Sequence, residues 1–323
     1  MTLKILIIPG LTLTEIPEHS IQKIKEAAGP DSRVVISEHS LAHNEIEDAD
    51  VVLGLVTPKL FVNAKKLSWV QSISSGVDSF MYPEFMNSDV LLTSEKGLVG
   101  EHLADHAFGL LLTLTRQLAM ARDMGPASWK NRPALRAEEV ELSGLNLGII
   151  GFGGTGRSVA KRADAFGLNI RAIDKEEVSP SEAVNTVEST SSLSDLLSWS
   201  DVLCICCPLT KETEKLVNRE TLSLLKKGAY LINVTRGEII DEDALVESLK
   251  SGHLKGAGLD VTPREPLPDD SDLWCLPNVI LTPHTAGASQ YRASRNLDRF
   301  ISNVEKFRKK QPLEGLINKL EGY

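Results

Sequence analysis

Basic residues are in the minority in this 323-residue chain, where 35 Lys and Arg face 44 Asp and Glu for a formal net charge of −9. With no run of basic residues either, nucleic acid and anionic membrane are poor general partners. No apolar stretch reaches the roughly eighteen residues that span a bilayer. The opening MTLKILIIPG is too short for a secretion signal and has no small-residue cleavage pattern, so it reads as a buried first strand. Cysteine is scarce: of four, Cys204, Cys206 and Cys207 crowd one stretch and Cys275 stands apart. Cys204 and Cys207 form a C-x-x-C, but within DVLCICCP alternation sends them to opposite faces, and no second ligand pair exists to complete a zinc site. They read as small apolar residues of a buried strand, in a protein expected to be reduced, cytoplasmic and metal-free. The length exceeds what a single core usually supports, so two domains are expected.

What the chain does have is LNLGIIGFGGTGRSVAKRADAFGLNIRAID, residues 145–174. An apolar strand ends in Gly151, Gly153 and Gly156 follow at the spacing G-x-G-x-x-G, and a helix-like stretch leads to a second strand closing on Asp174. Gly151 permits a tight turn, Gly153 leaves the backbone open to a pyrophosphate, and Gly156 lets the helix pack close to the sheet. The helix start then offers unpaired N–H groups to phosphate. Asp174, about twenty residues past the glycines, is placed to accept hydrogen bonds from an adenosine ribose.

Before this turn, KILIIPG, RVVIS, DADVVLGLV and WVQSISSGVD read as four strands, with IQKIKEAAG an amphipathic helix ending at Gly29. Strands alternating with helices imply a parallel sheet with ligands near its C-terminal ends. The small Ser74, Ser75 and Gly76 thus form either a loop offering N–H groups to an anionic substrate or an ordinary strand-to-helix turn. Residues 101–122 read as one long helix, in which His102 and His106 serve packing and hydrogen bonding between domains, since the glutamate of a zinc-protease pattern is missing after the first histidine. The polar stretch 123–143, with Trp129 and Leu135, is a candidate arm against another subunit.

After the turn the α/β rhythm resumes with DVLCICC, a helix around residues 213–226, AYLINVTRG, a helix over 241–250, GAGLDV and NVILTPH. The ends of the last three strands carry the polar groups. Arg236 follows one directly, where its planar fork suits a carboxylate or 2-oxo acid. Asp260 ends the next and is a candidate acceptor for a nicotinamide amide, with Glu265 in the proline-rich loop beyond. His284 ends the third, after Pro283 and before small residues. Reducing a carbonyl with hydride requires an acid for its oxygen, a carboxylate that keeps that acid protonated, and a cation for the substrate's carboxylate.

The motifs GFGGTG with Asp174, CPLTKETEKLV, LINVTRGEIIDEDAL, GLDVTPREPLP, LTPHTAGAS and PLEGLINKLEGY, in this order, resemble the D-isomer-specific 2-hydroxyacid dehydrogenases over nearly the whole chain. The resemblance implies two doubly wound parallel-sheet α/β domains, with a Rossmann cofactor domain (101–288) inserted into a flavodoxin-like substrate domain (1–100 and 289–323). It implies that Arg236 binds substrate, His284 is the acid/base and Glu265 its partner. It also puts Gly154 and Thr155 against the pyrophosphate, Val234, Thr235 and Asp260 on the nicotinamide side, Cys207, Pro208, Thr213 and Gly287 among the cofactor contacts, and the Ser75 and Gly76 backbone donors on the substrate carboxylate. Homodimerisation through the cofactor domain and the 123–143 arm is implied as well. Thr155 departs from the family, where a larger aliphatic residue is common. Lys175 beside Asp174 brings a positive charge near a 2′-phosphate, but Asp174 would repel that phosphate, so NAD is expected over NADP. The implied activity is NAD-dependent interconversion of a small 2-oxo acid (glyoxylate, hydroxypyruvate or pyruvate) and its D-2-hydroxy acid. The alternatives are a dinucleotide-sensing regulator of the corepressor type, which resembles the family and keeps the same three residues, and a dehydrogenase of the same family with another substrate, formate or phosphite.

Overall fold

The computed structural model describes residues 2–323, which form two compact units: the segment up to Val99 with Ala288–Tyr323, and Gly100–Gly287. In the first unit, β1 (Lys4–Ile7), β2 (Arg33–Ile36), β3 (Val51–Leu53), β4 (Trp69–Gln71) and β5 (Leu91–Thr93) form an all-parallel sheet in the order β2-β1-β3-β4-β5. Near-continuous apolar runs such as KILI and VVL suit strands covered on both faces. Helix Glu18–Ala28 buries Ile24, Ala27 and Ala28 and stops at Gly29, whose φ of 99° few other residues adopt. Helix Arg292–Arg308 buries Leu297, Phe300 and Val304, one face at helical spacing, and the Phe300 ring lies 5.3 Å from that of Trp69. The sequence suggested four strands here. The fifth, β5, is only three residues long with Leu91 partly exposed, and its other edge is closed by Ile317, whose N–H donates to Leu92 O at 2.9 Å.

The second unit holds β6 (Asn146–Ile150), β7 (Asn169–Asp174), β8 (Val187–Ser189), β9 (Val202–Ile205), β10 (Ala229–Asn233), β11 (Leu254–Leu259) and β12 (Val279–Leu281). All are parallel, in the order β12-β11-β10-β9-β6-β7-β8. Strand order therefore reverses beside β6, and in open sheets of this kind ligands bind outside the C-terminal strand ends at such a point. The single helix expected over 101–122 is two: Gly100–Thr115, then Leu118–Met124 after Gln117 takes a left-handed φ of 54°. The first buries Ala104, Phe108 and Leu111, while the second buries nothing. Helix Arg132–Glu138 in the suggested arm also buries no residue, and Trp129 there is 80% exposed. The helix expected around 213–226 shrinks to Arg219–Leu224, because Asn218 caps it by accepting from the Glu220 and Thr221 N–H groups.

Cys204 and Cys207 fall into different core clusters, on opposite faces of the sheet, and Cys206 shares the Cys204 side with sulfurs 3.7 Å apart. All four thiols are free. Among the described residues no helix is long and apolar enough to cross a membrane, and no group of three or more His, Cys, Asp or Glu is gathered for a metal ion.

Candidate active site

The glycine turn links β6 to helix Gly154–Ala165. Gly151 has φ 91°, and a Cβ on it would lie 2.6 Å from the Cys207 backbone nitrogen. A Cβ on Gly156 would lie 2.1 Å from Gly151 O, so helix and turn approach at a distance only glycine allows. At Gly153 nothing stands within 4 Å of that position, which leaves the backbone open where a pyrophosphate would approach. No side chain caps this helix, so its first N–H groups, including those of Gly154, Thr155 and Gly156, face the opening. Asp174 ends β7 and accepts from the Phe152 N–H at 2.6 Å and the Glu176 N–H at 2.9 Å, bracing the turn while its remaining lone pairs suit ribose hydroxyls. Lys175 pairs with Glu212 at 3.1 Å. An open glycine, an uncapped helix start and an acidic strand end together fit a dinucleotide.

Across the turn from Gly151, Cys207 is buried and Pro208 exposed. Burial pushes the Cys207 thiol up to about 12. The Thr213 hydroxyl donates to Pro208 O at 2.7 Å and accepts from the Thr210 N–H at 2.8 Å, so it shapes the loop after β9.

Arg236, Glu265 and His284 follow β10, β11 and β12, three neighbours in the sheet, and backbone bonds tie their loops together. The Asp260 N–H donates to Asn233 O at 2.9 Å, and the His284 N–H to Asp260 O at 2.8 Å. The Asn233 side chain organises the Arg236 loop: its Nδ2 donates to Arg236 O at 2.8 Å and its Oδ1 accepts from the Thr235 N–H at 3.1 Å. Val234 is buried beneath, and Arg236 donates from one guanidinium nitrogen to Thr235 O at 2.7 Å. Gly237 then lies flat on the next loop, since a Cβ there would sit 2.0 Å from the Thr262 carbonyl carbon.

The His284 ring meets Glu265 at 2.7 Å, Nδ1 to Oε2, and both side chains reach solvent. A carboxylate only accepts, so Nδ1 carries the proton. Nε2 is thereby the nitrogen left for exchange with a ligand. Glu265 is itself held by the Thr262 N–H, which donates to Oε1 at 3.2 Å. His284 has φ 54°, a left-handed conformation that a non-glycine residue adopts only under constraint.

That constraint is Asp260, which composition and spacing suggested only as a nicotinamide acceptor. It is 1% exposed; Oδ1 accepts from Thr282 Oγ1 at 2.6 Å and the Thr285 N–H at 2.9 Å, and Oδ2 from the Ala286 N–H at 2.8 Å. Both oxygens are engaged inside the protein, so any contact with nicotinamide would add to these. Gly287 follows and ends the unit. Because Thr282 gives its only proton to Asp260, it must accept from His106 Nε2, 2.8 Å away on helix Gly100–Thr115. His106 therefore bonds within its own unit. The i, i+4 spacing of the two histidines gave no hint of this, because the partners stand more than 150 residues downstream.

Ser75 and Gly76 belong to the first unit, in the loop after β4. There Ser74 Oγ donates to Gly76 O at 2.8 Å, and the Ser74 N–H to Ser72 Oγ at 3.1 Å. The pair Arg292–Glu95, which lies close by this loop, went unread in the sequence.

A family model described as the D-isomer specific 2-hydroxyacid dehydrogenase NAD binding domain matches residues 108–286. The glyoxylate reductase of Korarchaeum cryptofilum is 33% identical over 94% of both chains. The glyoxylate/hydroxypyruvate reductase B of Pectobacterium carotovorum is 35% identical over 77% of this chain and 79% of its own. Among solved structures, a D-isomer specific 2-hydroxyacid dehydrogenase family protein of Aeromonas salmonicida superposes with a TM-score of 0.83 at 30% identity, covering 99% of this chain and all of the other. A cradle for a dinucleotide, a histidine–carboxylate pair and an arginine on adjoining strand ends, and relatives matched along the whole length, make this chain a member of the D-isomer specific 2-hydroxyacid dehydrogenase family.

Proposed function

We propose that the protein reduces a small 2-oxo acid, with glyoxylate, hydroxypyruvate and pyruvate as first candidates, to the D-2-hydroxy acid. The observation that carries this reading is the 2.7 Å bond from His284 Nδ1 to Glu265, which presents Nε2 as the proton-exchanging atom. NADH, when bound, supplies the hydride. Protonated His284 gives its Nε2 proton to the substrate's carbonyl oxygen, and the neutral ring takes it back in the oxidative direction. Arg236 fixes the carboxylate beside that carbonyl, which converts chance encounter into a held geometry. The Ser75 and Gly76 amides are the remaining carboxylate donors. Glu265 keeps the ring in the tautomer that carries its proton on Nδ1 and leaves Nε2 for exchange.

The cradle residues Gly151, Gly153, Gly154, Thr155, Gly156 and Asp174 hold NAD in preference to NADP, because Asp174 carries negative charge where a 2′-phosphate would need a cation. Free buried thiols support a cytoplasmic location, and exposed Trp129, close before helix Arg132–Glu138 that buries no residue, supports a homodimer formed through that arm. The test is a panel of 2-oxo acids assayed with NADH and NADPH side by side, with formate and phosphite run against NAD in the opposite direction. Steady NADH oxidation with a small 2-oxo acid is expected, and His284→Ala should lower turnover by about two to four powers of ten. NADH binding with no turnover of any 2-oxo acid would overturn the reading and favour a sensor.

A further inference from the structure

We propose that Glu95 and Arg292 are positioning residues for the substrate's carboxylate, acting through the Ser72–Gly76 backbone rather than by touching substrate. The inference rests on the reading of the Ser75 and Gly76 amides as carboxylate donors.

Glu95 lies two residues beyond β5 and is 1% exposed. Its Oε2 accepts from Arg292 Nε at 2.9 Å and from the neighbouring guanidinium nitrogen, and its Oε1 accepts from Asn296 Nδ2 at 3.0 Å. Arg292 and Asn296 are four residues apart on one face of helix Arg292–Arg308. Glu95 and Asn296 also reach the loop. The Glu95 N–H donates to Ser74 O at 3.2 Å, and Asn296 Nδ2 also approaches Ser72 O at 3.4 Å. Below them Gln71 Nε2 donates to Asn296 O at 3.2 Å, and Gln71 Oε1 accepts from Asn303 Nδ2 at 3.2 Å.

Stability alone does not account for this arrangement. Removing two charges from water costs several kcal/mol per ion, and an apolar pair of similar volume often does as well. What a fully bonded polar network adds is a single geometry. The loop it underlies, Ser-Ile-Ser-Ser-Gly, has little side-chain bulk to select one conformation. A trans peptide is planar, so its N–H points opposite to its C=O. Tying Ser74 O down to the Glu95 N–H therefore turns the Ser75 N–H the other way. Likewise, the Ser74 hydroxyl on Gly76 O fixes the peptide that follows Gly76. The ion pair holds Glu95, Glu95 holds the Ser74 carbonyl, and the amide that meets the carboxylate is aimed as a result.

The test compares the full-length protein with Glu95→Gln, which keeps shape and removes charge, and Arg292→Lys, which keeps charge and removes the two-nitrogen fork. KM for glyoxylate, kcat, the Kd of NADH by fluorescence and amide hydrogen exchange of residues 72–78 are measured on each. Mis-aimed charge-assisted bonds should raise KM about ten- to a hundredfold in Glu95→Gln and by less in Arg292→Lys, with kcat and the NADH Kd within about threefold of wild type. Exchange at residues 72–78 should quicken selectively. Unchanged KM in folded variants, or loss spread equally over kcat, NADH binding and exchange throughout the chain, would overturn the proposal. Absence of 2-oxo acid turnover in the wild type would instead sink the functional reading, and the exchange of residues 72–78 would still decide whether the clamp exists.

Discussion

Asp260→Asn is the most informative single change, because it alters almost no volume and strikes the support beneath His284. The carboxylate accepts from Thr282 Oγ1, the Thr285 N–H and the Ala286 N–H. An asparagine can keep its oxygen toward the first two, which weakens from bonds to a charged acceptor at about 1.5–3 kcal/mol to neutral ones at about 0.5–1.5 kcal/mol. Its NH2 then opposes the Ala286 N–H, and a buried donor without an acceptor costs about 1–3 kcal/mol. The expected destabilisation is therefore about 3–5 kcal/mol. Against the clamp stands the left-handed backbone of His284 at φ 54°, which stores strain of about 1–3 kcal/mol. Once the clamp weakens, release of that strain should lower the fraction of molecules with the ring docked on Glu265 by roughly ten- to a hundredfold. kcat for glyoxylate reduction should fall by the same factor, and the urea midpoint should drop. Two results would refute the reasoning. One is wild-type kcat with an unchanged midpoint, and the other is a weaker NADH Kd alone, which would make Asp260 a ligand contact and nothing more.

Gly237→Ala would drive a methyl group to 2.0 Å from the Thr262 carbonyl carbon, so the Arg236 and Glu265 loops must part; stability should fall by about 1–3 kcal/mol or more, with turnover lost well before global unfolding in a denaturant titration. Asp174→Ala strips the acceptor from the Phe152 and Glu176 N–H groups and removes negative charge from the ribose end, so the NADH Kd should rise while the preference for NADH over NADPH narrows; an unchanged ratio of the two Kd values would remove Asp174 from discrimination. The thiols should react unequally at pH 8. Burial lifts Cys207 to about 12, and its bond with Cys204 together with burial lifts Cys206, so both stay protonated, while Cys275 is exposed. Titration with a disulfide reagent should give about one equivalent in the native protein and all four in denaturant; rapid labelling of the 204–207 strand would contradict its burial.

The site was legible where its chemistry is local in the chain. Glycine spacing, an acid at a strand end, and an arginine or histidine just past an apolar run each follow from a few consecutive residues, and the sheet order then makes the three late strands neighbours. What stayed hidden depends on distant partners. Glu95 carries no local signal, since only folding sets it against Arg292, 197 residues away, and His106 was expected to pack and bond between domains, whereas folding brings Thr282 of its own unit beside it. Asp260 was visible as a polar strand end, but its engagement with two following N–H groups requires the turn's conformation. The same holds for secondary structure. β5 is too short for periodicity to register, and the break at Gln117 comes without proline or glycine.

The split first unit has a consequence for synthesis on the ribosome. Trp69 waits for Phe300, Glu95 for Arg292, and the free edge of β5 for Ile317, so residues 1–99 emerge with an unfinished interior. The stretch 100–287 is continuous in the chain and forms a unit of its own, so it can fold first. Until the segment 288–323 leaves the exit tunnel, the nascent chain carries an apolar surface that invites chaperone capture.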